Sequence, residues 1–164
     1  MKMNKQYIAQ ITKMGIIAAL YVALCYIFAF MSYGPVLQFR IAEILLVLAF
    51  YNKKYCIPVI IGTFIANQLM YGVIDMIIGT FATILVCLVI ISVKNKIIIA
   101  PAAAIINGII IGLMLYFIFE ESYALWFIMA NVAAGEFVVV LAGVLAFTGI
   151  EKINPKFINL IKNL

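Results

Sequence analysis

The chain has 164 residues, of which 68% are hydrophobic and 10% charged, with a mean hydropathy of +1.26. A soluble globular domain does not carry that composition, and the recurring apolar runs read as membrane-spanning helices. Eleven basic residues against six acidic ones leave a net charge of +5, but the lysines fall in loops between apolar runs, so the excess reads as membrane topology and no nucleic-acid partner is expected.

At about 20 residues per span, this length allows roughly six helices with short loops and no soluble domain. Charge, glycine and proline divide the chain at about 7–31, 36–51, 55–72, 75–93, 97–118 and 123–150, all within a single transmembrane domain over 1–164. The first apolar run, Ile16 to Met31, shows no small-residue cleavage site and leads straight into further spans, so it is expected to be retained. After the sixth span comes "EKINPKFINLIKNL", residues 151–164, with Ile153, Phe157, Leu160, Ile161 and Leu164 at rough helical spacing beside lysines. That suits an interfacial segment or a frayed end on the cytoplasmic side.

Six spans put both termini on one side, together with the loops near 52–54 and 94–96. That side receives Lys2, Lys5, Lys13, Lys53, Lys54, Lys94, Lys96, Lys152, Lys156 and Lys162, which is every lysine in the chain. The other side receives "SYGP", "YGVID" and "FEES", with none. The positive-inside rule therefore predicts an N-in, C-in, all-α integral membrane protein. A five-span reading splits the lysines between the two sides.

Within this apolar frame the polar residues stand out. Arg40 is the chain's one arginine, and it precedes Glu43 by three positions, so the two can share one side of the second helix near its outer end. Charges in a span are costly and face a protein interior or a wet cavity. Gln38, Asn67, Tyr71, Asp75, Asn131 and Trp126 fall in the same outer half of the membrane, with Tyr33 in the loop before the second helix. Asn107 lies mid-way along the fifth helix. Glu136 lies ~20 Å into the sixth and has no basic residue near it in its own helix. Together they offer donors, acceptors and aromatics for a flat polar molecule. Plainer roles compete. Arg40 and Glu43 can neutralise each other, Asn67 and Asn107 can be interhelical glue, and Asp75 can be a loop acid like Glu120 and Glu121. Tyr33, Tyr123 and Trp126 can be interfacial aromatics. Glu136 needs a partner from elsewhere, a ligand or a proton.

Small residues form a second pattern. Gly15, Ala19 and Ala23 repeat every four positions on the first helix, as do Gly62 and Ala66 on the third and Gly108 and Gly112 on the fifth. Such stripes permit close helix approach, internally or, for the first helix, against an external protein. Cys25, Cys56 and Cys87 are isolated in apolar stretches and read as small buried hydrophobes. Histidine is absent and no GxxxxGK[ST] phosphate loop occurs, so neither an enzyme nor a self-powered ATPase is expected, nor a metal or other cofactor.

A lysine-inside chain with Ala19-x-x-x-Ala23 in its first helix resembles the substrate-binding (S) components of energy-coupling factor (ECF) transporters. The runs "YGPVLQFRIAEILLVLAFY" and "GTFIANQLMYGVIDMIIGTFATIL" are similar to the QueT family within that group, through Q-F-R-x-x-E and G-x-x-x-A-N…D-x-x-x-G-T. The resemblance covers about Ile16 to Phe147 and is strongest over Tyr33–Leu85. It implies a multi-pass protein of the bacterial plasma membrane that captures a 7-deazaguanine queuosine precursor, the 7-aminomethyl form or queuine. It also implies delivery through a transmembrane T component and two ATPase subunits, with Gly15, Ala19 and Ala23 docking on the T component. Such a base pairs its N1–H and exocyclic amine with a carboxylate and its O6 with arginine or an amide. On that footing Arg40 with Gln38 or Asn67 reads the oxygen, Glu43 or Glu136 the paired donors, and Asp75 a substituent amine. Tyr71, Tyr33 and Trp126 are the stacking candidates. The rival expectations are an S component for another vitamin or nucleobase, and a stand-alone secondary transporter relaying protons through Glu136 or Asp75.

Overall fold

The computed structural model describes residues 5–32, 38–70 and 72–163. Among the described residues every regular element is helical. The first apolar run forms α1 (Lys5–Ile27), breaks at Phe28, and continues as the single turn α2 (Ala29–Ser32). After Gln38–Arg40 come a 3-10 turn, Ile41–Leu45, and α3 (Leu46–Tyr51). A further 3-10 turn, Lys53–Tyr55, leads into α4 (Cys56–Met70), and α5 spans Val73–Ser92. The turn Lys96–Ile98 opens α6 (Ile99–Phe117), which is followed by α7 (Leu125–Ile153) and α8 (Pro155–Lys162). Four of these segments are long and apolar enough to cross a membrane: Tyr7–Ile27, Val73–Ser92, Lys96–Phe117 and Leu125–Ile153. Turn and helix from Lys53 to Met70 together rise roughly 28 Å, close to the hydrocarbon thickness of about 30 Å.

The second predicted span is where the structure departs most from expectation. Gln38, Phe39 and Arg40 are not helical, and the regular part, Ile41–Tyr51, rises only roughly 19 Å. Gln38 and Arg40 are therefore not on the first two turns of a helix, and the i, i+3 spacing does not set where Arg40 and Glu43 point. The segment is apolar nearly all round because it is enclosed nearly all round: Ala42, Leu46 and Val47 are completely buried, Leu48 and Ala49 nearly so, and Ile41, Ile44 and Phe50 partly. Non-helical backbone in so apolar a chain needs its polar groups met by the protein itself, and here the neighbours supply partners and enclosure. Phe39 N donates to Met31 O at 2.8 Å. On the other side α7 presents glycines: a Cβ on Gly135 would run into the Gln38 carbonyl, and one on Gly143 would meet Ile44 Cα at 3.2 Å.

The remaining small-residue stripes divide by role. A Cβ on Gly62 of α4 would lie 2.7 Å from Tyr21 Cβ, and one on Gly108 of α6 would lie 2.8 Å from Ala133 Cβ. Gly112 is closed by Met129 in the same way. These stripes serve internal packing. The stripe on α1 does not: Gly15, Ala19 and Ala23 are exposed, and nothing lies within 4 Å of a Cβ on Gly15. The buried face of α1 is the opposite one, carrying Ala18, Tyr21 and Cys25.

The end of the bundle that holds the lysines is tied together. Glu151 near the end of α7 accepts from Lys96 Nζ at 2.7 Å and from Tyr51 Oη at 3.1 Å, with Lys162 Nζ at 3.7 Å. Asn52 Nδ2 donates to Lys162 O at 2.9 Å. The C-terminal segment is neither frayed nor loose. Pro155 opens α8, the Asn154 side chain caps it by accepting from Phe157 N, and Ile158 and Ile161 are buried against the bundle. Ile153, Phe157 and Leu160 remain exposed beside the lysines.

Candidate functional site

Arg40, Glu43, Asn67, Asp75, Asn107 and Glu136 are all buried, although they come from five separate segments of the chain. Their positions follow from the elements. Arg40 sits just before the 3-10 turn, in a tight bend closed by Ile41 N donating to Phe39 O at 2.9 Å, and Glu43 lies within the turn. Asn67 is one turn from the end of α4, and Asp75 is in the first turn of α5. Tight packing at Gly79 brings these two together, since a Cβ there would collide with Asn67 Nδ2 and approach Asp75 Oδ1 to 3.0 Å.

The cluster has two parts. In the first, Arg40 Nη2 donates to Asn67 Oδ1 and pairs with Asp75 Oδ2, each at 3.3 Å, while Asn67 Nδ2 donates to the Asp75 carbonyl at 3.1 Å. In the second, Tyr21 Oη donates to Glu43 Oε1 at 2.6 Å, and Asn107 Nδ2 donates to Glu136 Oε1 at 2.9 Å. The two parts adjoin, because Gly135, next to Glu136 on α7, packs against Gln38 and Phe39, just before Arg40. Arg40 thus pairs with Asp75 across helices, and Glu43 takes its hydrogen bond from α1. The cluster holds three carboxylates against one guanidinium.

Three of its oxygens have no hydrogen-bond partner among the described residues: Glu43 Oε2, Asp75 Oδ1 and Asn107 Oδ1. Leaving a polar atom buried and unpaired costs about 1–3 kcal/mol, so three in one cluster are a feature to be explained. All three belong to carboxyl or amide groups that accept hydrogen bonds, so a group that meets them is rich in N–H donors.

Other expected site residues are placed differently. Gln38 is half-buried beside this interior and lines a small crevice with Glu121, Tyr123, Phe127 and Asn131, at the end of the bundle remote from the lysines. Trp126 is not brought to the cluster: it is 73% exposed and meets Phe127 edge-on at 5.9 Å. A helix of this length in a bundle has one face that looks outward, and Trp126 is on it. Tyr33 and Tyr71 lie outside the described residues. Tyr21 was not expected. The available signal for it was its position opposite the Gly15, Ala19, Ala23 stripe.

Comparison with known proteins bears on what this interior is for. The chain is 44% identical over 86 residues to the "Queuosine precursor transporter QueT" of Lactococcus lactis subsp. cremoris (strain MG1363). That alignment covers 51% of this chain and 49% of the relative, so the chain spans about half the length of the curated relative it matches. No solved structure matches it. A family model described as QueT transporter matches residues 11–152, which takes in every residue of the buried cluster, and the chain belongs to that family.

Proposed function

We propose that this multi-pass membrane protein is the substrate-binding subunit of an ECF-type importer and captures a cationic 7-deazaguanine queuosine precursor in the interior around Arg40, Glu43, Asp75 and Glu136. One observation carries the reading: the cluster has three carboxylates to one arginine, and its unpaired oxygens are acceptors. A deazaguanine supplies N1–H and an exocyclic amine as adjacent donors, and its 7-aminomethyl group supplies the positive charge. Glu43 and Glu136 accept the donor pair, Asp75 takes the ammonium, and Arg40 with Asn67 donates to O6. The relative's printed name, a queuosine precursor transporter, points the same way.

The wider arrangement belongs to the same proposal. Six membrane passages with both termini inside place all lysines on the cytoplasmic side and the polar cluster in the outer half. Energy comes from a T component and two ATPase subunits, with α1 docking on the T component through Gly15, Ala19 and Ala23. Among the described residues Glu136 takes its hydrogen bond from an amide and not from a cation, which also favours a second reading, a carrier that moves protons through this carboxylate. Calorimetry on the purified chain with matched bases tests the first. The 7-aminomethyl base is expected to bind roughly 100-fold more tightly than the neutral 7-cyano base, as a buried charge pair requires. Equal affinity for both, or for neither, overturns it. Uptake that follows the proton gradient and ignores ATP depletion favours the carrier.

A further inference from the structure

We propose that the groove between α4 and α5 at the lysine end is a binding site for one anionic phospholipid, whose phosphate sits at Lys53 and Lys54. The groove has a volume of about 390 Å³. Ile57 and Ile60 of α4 form one wall, Ile84, Leu88 and Ile91 of α5 the other, and Lys53 and Lys54 close one end. From Ile84 to Ile91 it runs about 10 Å along the helix axis, enough for the upper part of an acyl chain. No acidic side chain lines it among the described residues, and two lysines do. Both lysines are exposed and stand at the start of α4, the depth at which a basic side chain snorkels to the headgroups. The positive end of the α4 dipole adds to the same field.

A second groove in the molecule provides an internal comparison. Between α6 and α7, Ala104, Ile105, Gly108, Met129 and Ala133 line a groove of about 300 Å³ with no charged residue on it. It takes any acyl chain and selects no headgroup. The α4–α5 groove differs in its lysine pair, and that difference is what selects an anionic lipid. The inference is independent of the substrate assigned above, because the groove opens on the outside of the bundle and the polar cluster faces inward.

Native mass spectrometry of the whole chain, extracted in neutral detergent, tests it. The protein is offered equal amounts of phosphatidylglycerol and phosphatidylcholine with identical acyl chains. One phosphatidylglycerol should be retained in preference. Replacing both lysines, K53A with K54A, should cut that preference about 30-fold, the effect of two interfacial lysines. The pair K152A with K156A should leave it unchanged. Ile84→Trp, or Ile60→Trp on the opposite wall, should expel the lipid while both lysines remain. Equal retention of the two lipids overturns the proposal, and so does equal loss from the two lysine pairs, which would mean diffuse surface charge. Displacement of the adduct by glycerol phosphate alone also overturns it, since the chain would then play no part.

Discussion

Tyr21 Oη and Glu43 Oε1 make a 2.6 Å hydrogen bond from which solvent is excluded, with Tyr21 at 1% and Glu43 at 1% exposure. The other oxygen of Glu43 already lacks a partner among the described residues. Tyr21→Phe should therefore cost about 1–3 kcal/mol, lowering the midpoint of thermal unfolding in detergent by roughly 2–10 °C. It should also weaken ligand binding, because Glu43 loses the contact that orients it. An unchanged midpoint would mean that Glu43 finds another donor. Gly79 supplies a second test at this scale. Gly79→Ala drives a methyl into Asn67 Nδ2 and towards Asp75 Oδ1, so calorimetry should show binding lost, whereas Gly15→Ala, with open space around it, should bind as the wild type does. That the charged members of this cluster are buried was legible in the sequence, since Arg40, Glu43, Asp75 and Glu136 are conspicuous in apolar runs and each had to be enclosed. Tyr21 was not, because a tyrosine in a membrane helix is equally at home in an interfacial belt. The same ambiguity worked in reverse for Trp126, expected beside the polar residues and found exposed, away from the buried cluster.

At the scale of elements, hydropathy located the long helices to within a few residues, because a span of about 20 apolar residues is a physical requirement of the bilayer. It did not reveal that the second apolar run enters as non-helical backbone and ends as a short core segment. The reason is non-local: what admits Gln38 and Phe39 to the interior is Gly135 on α7, far along the chain, and Gly143 does the same for Ile44. Two glycines on that one helix make the point testable. Gly135→Ala places a methyl against the Gln38 carbonyl and should push the 38–40 segment, and Arg40 with it, off α7. Gly149→Ala meets nothing within 4 Å and should stabilise α7 by up to about 1 kcal/mol through helix propensity. Thermal unfolding should thus move in opposite directions for the same substitution on the same helix. A gain of stability in both would show that the segment is not held against Gly135.

For the molecule as a whole, the ties among Tyr51, Asn52, Lys96, Glu151 and Lys162 put the lysine-bearing loops at one end. That end should face the cytoplasm. In a variant whose three native cysteines are replaced, an impermeant external reagent should label cysteine at position 122 and spare position 95; the reverse pattern would invert the proposed topology. The last prediction turns on the two faces of α1. One face carries Tyr21 into the polar cluster, and the other presents Gly15, Ala19 and Ala23, all exposed. A stripe this smooth offers close backbone approach to another helix, and among the described residues nothing comes within 4 Å of a Cβ on Gly15. Tryptophan at Ala19 or Ala23 should therefore leave the fold and ligand binding in detergent intact, because it projects away from Tyr21 and Glu43. If the stripe is where the T component docks, the same variants should lose uptake in cells, and co-purification with the T component should fall in parallel. Loss of binding would show that the bulk is felt inside the bundle, and undiminished uptake would remove this face from the docking surface.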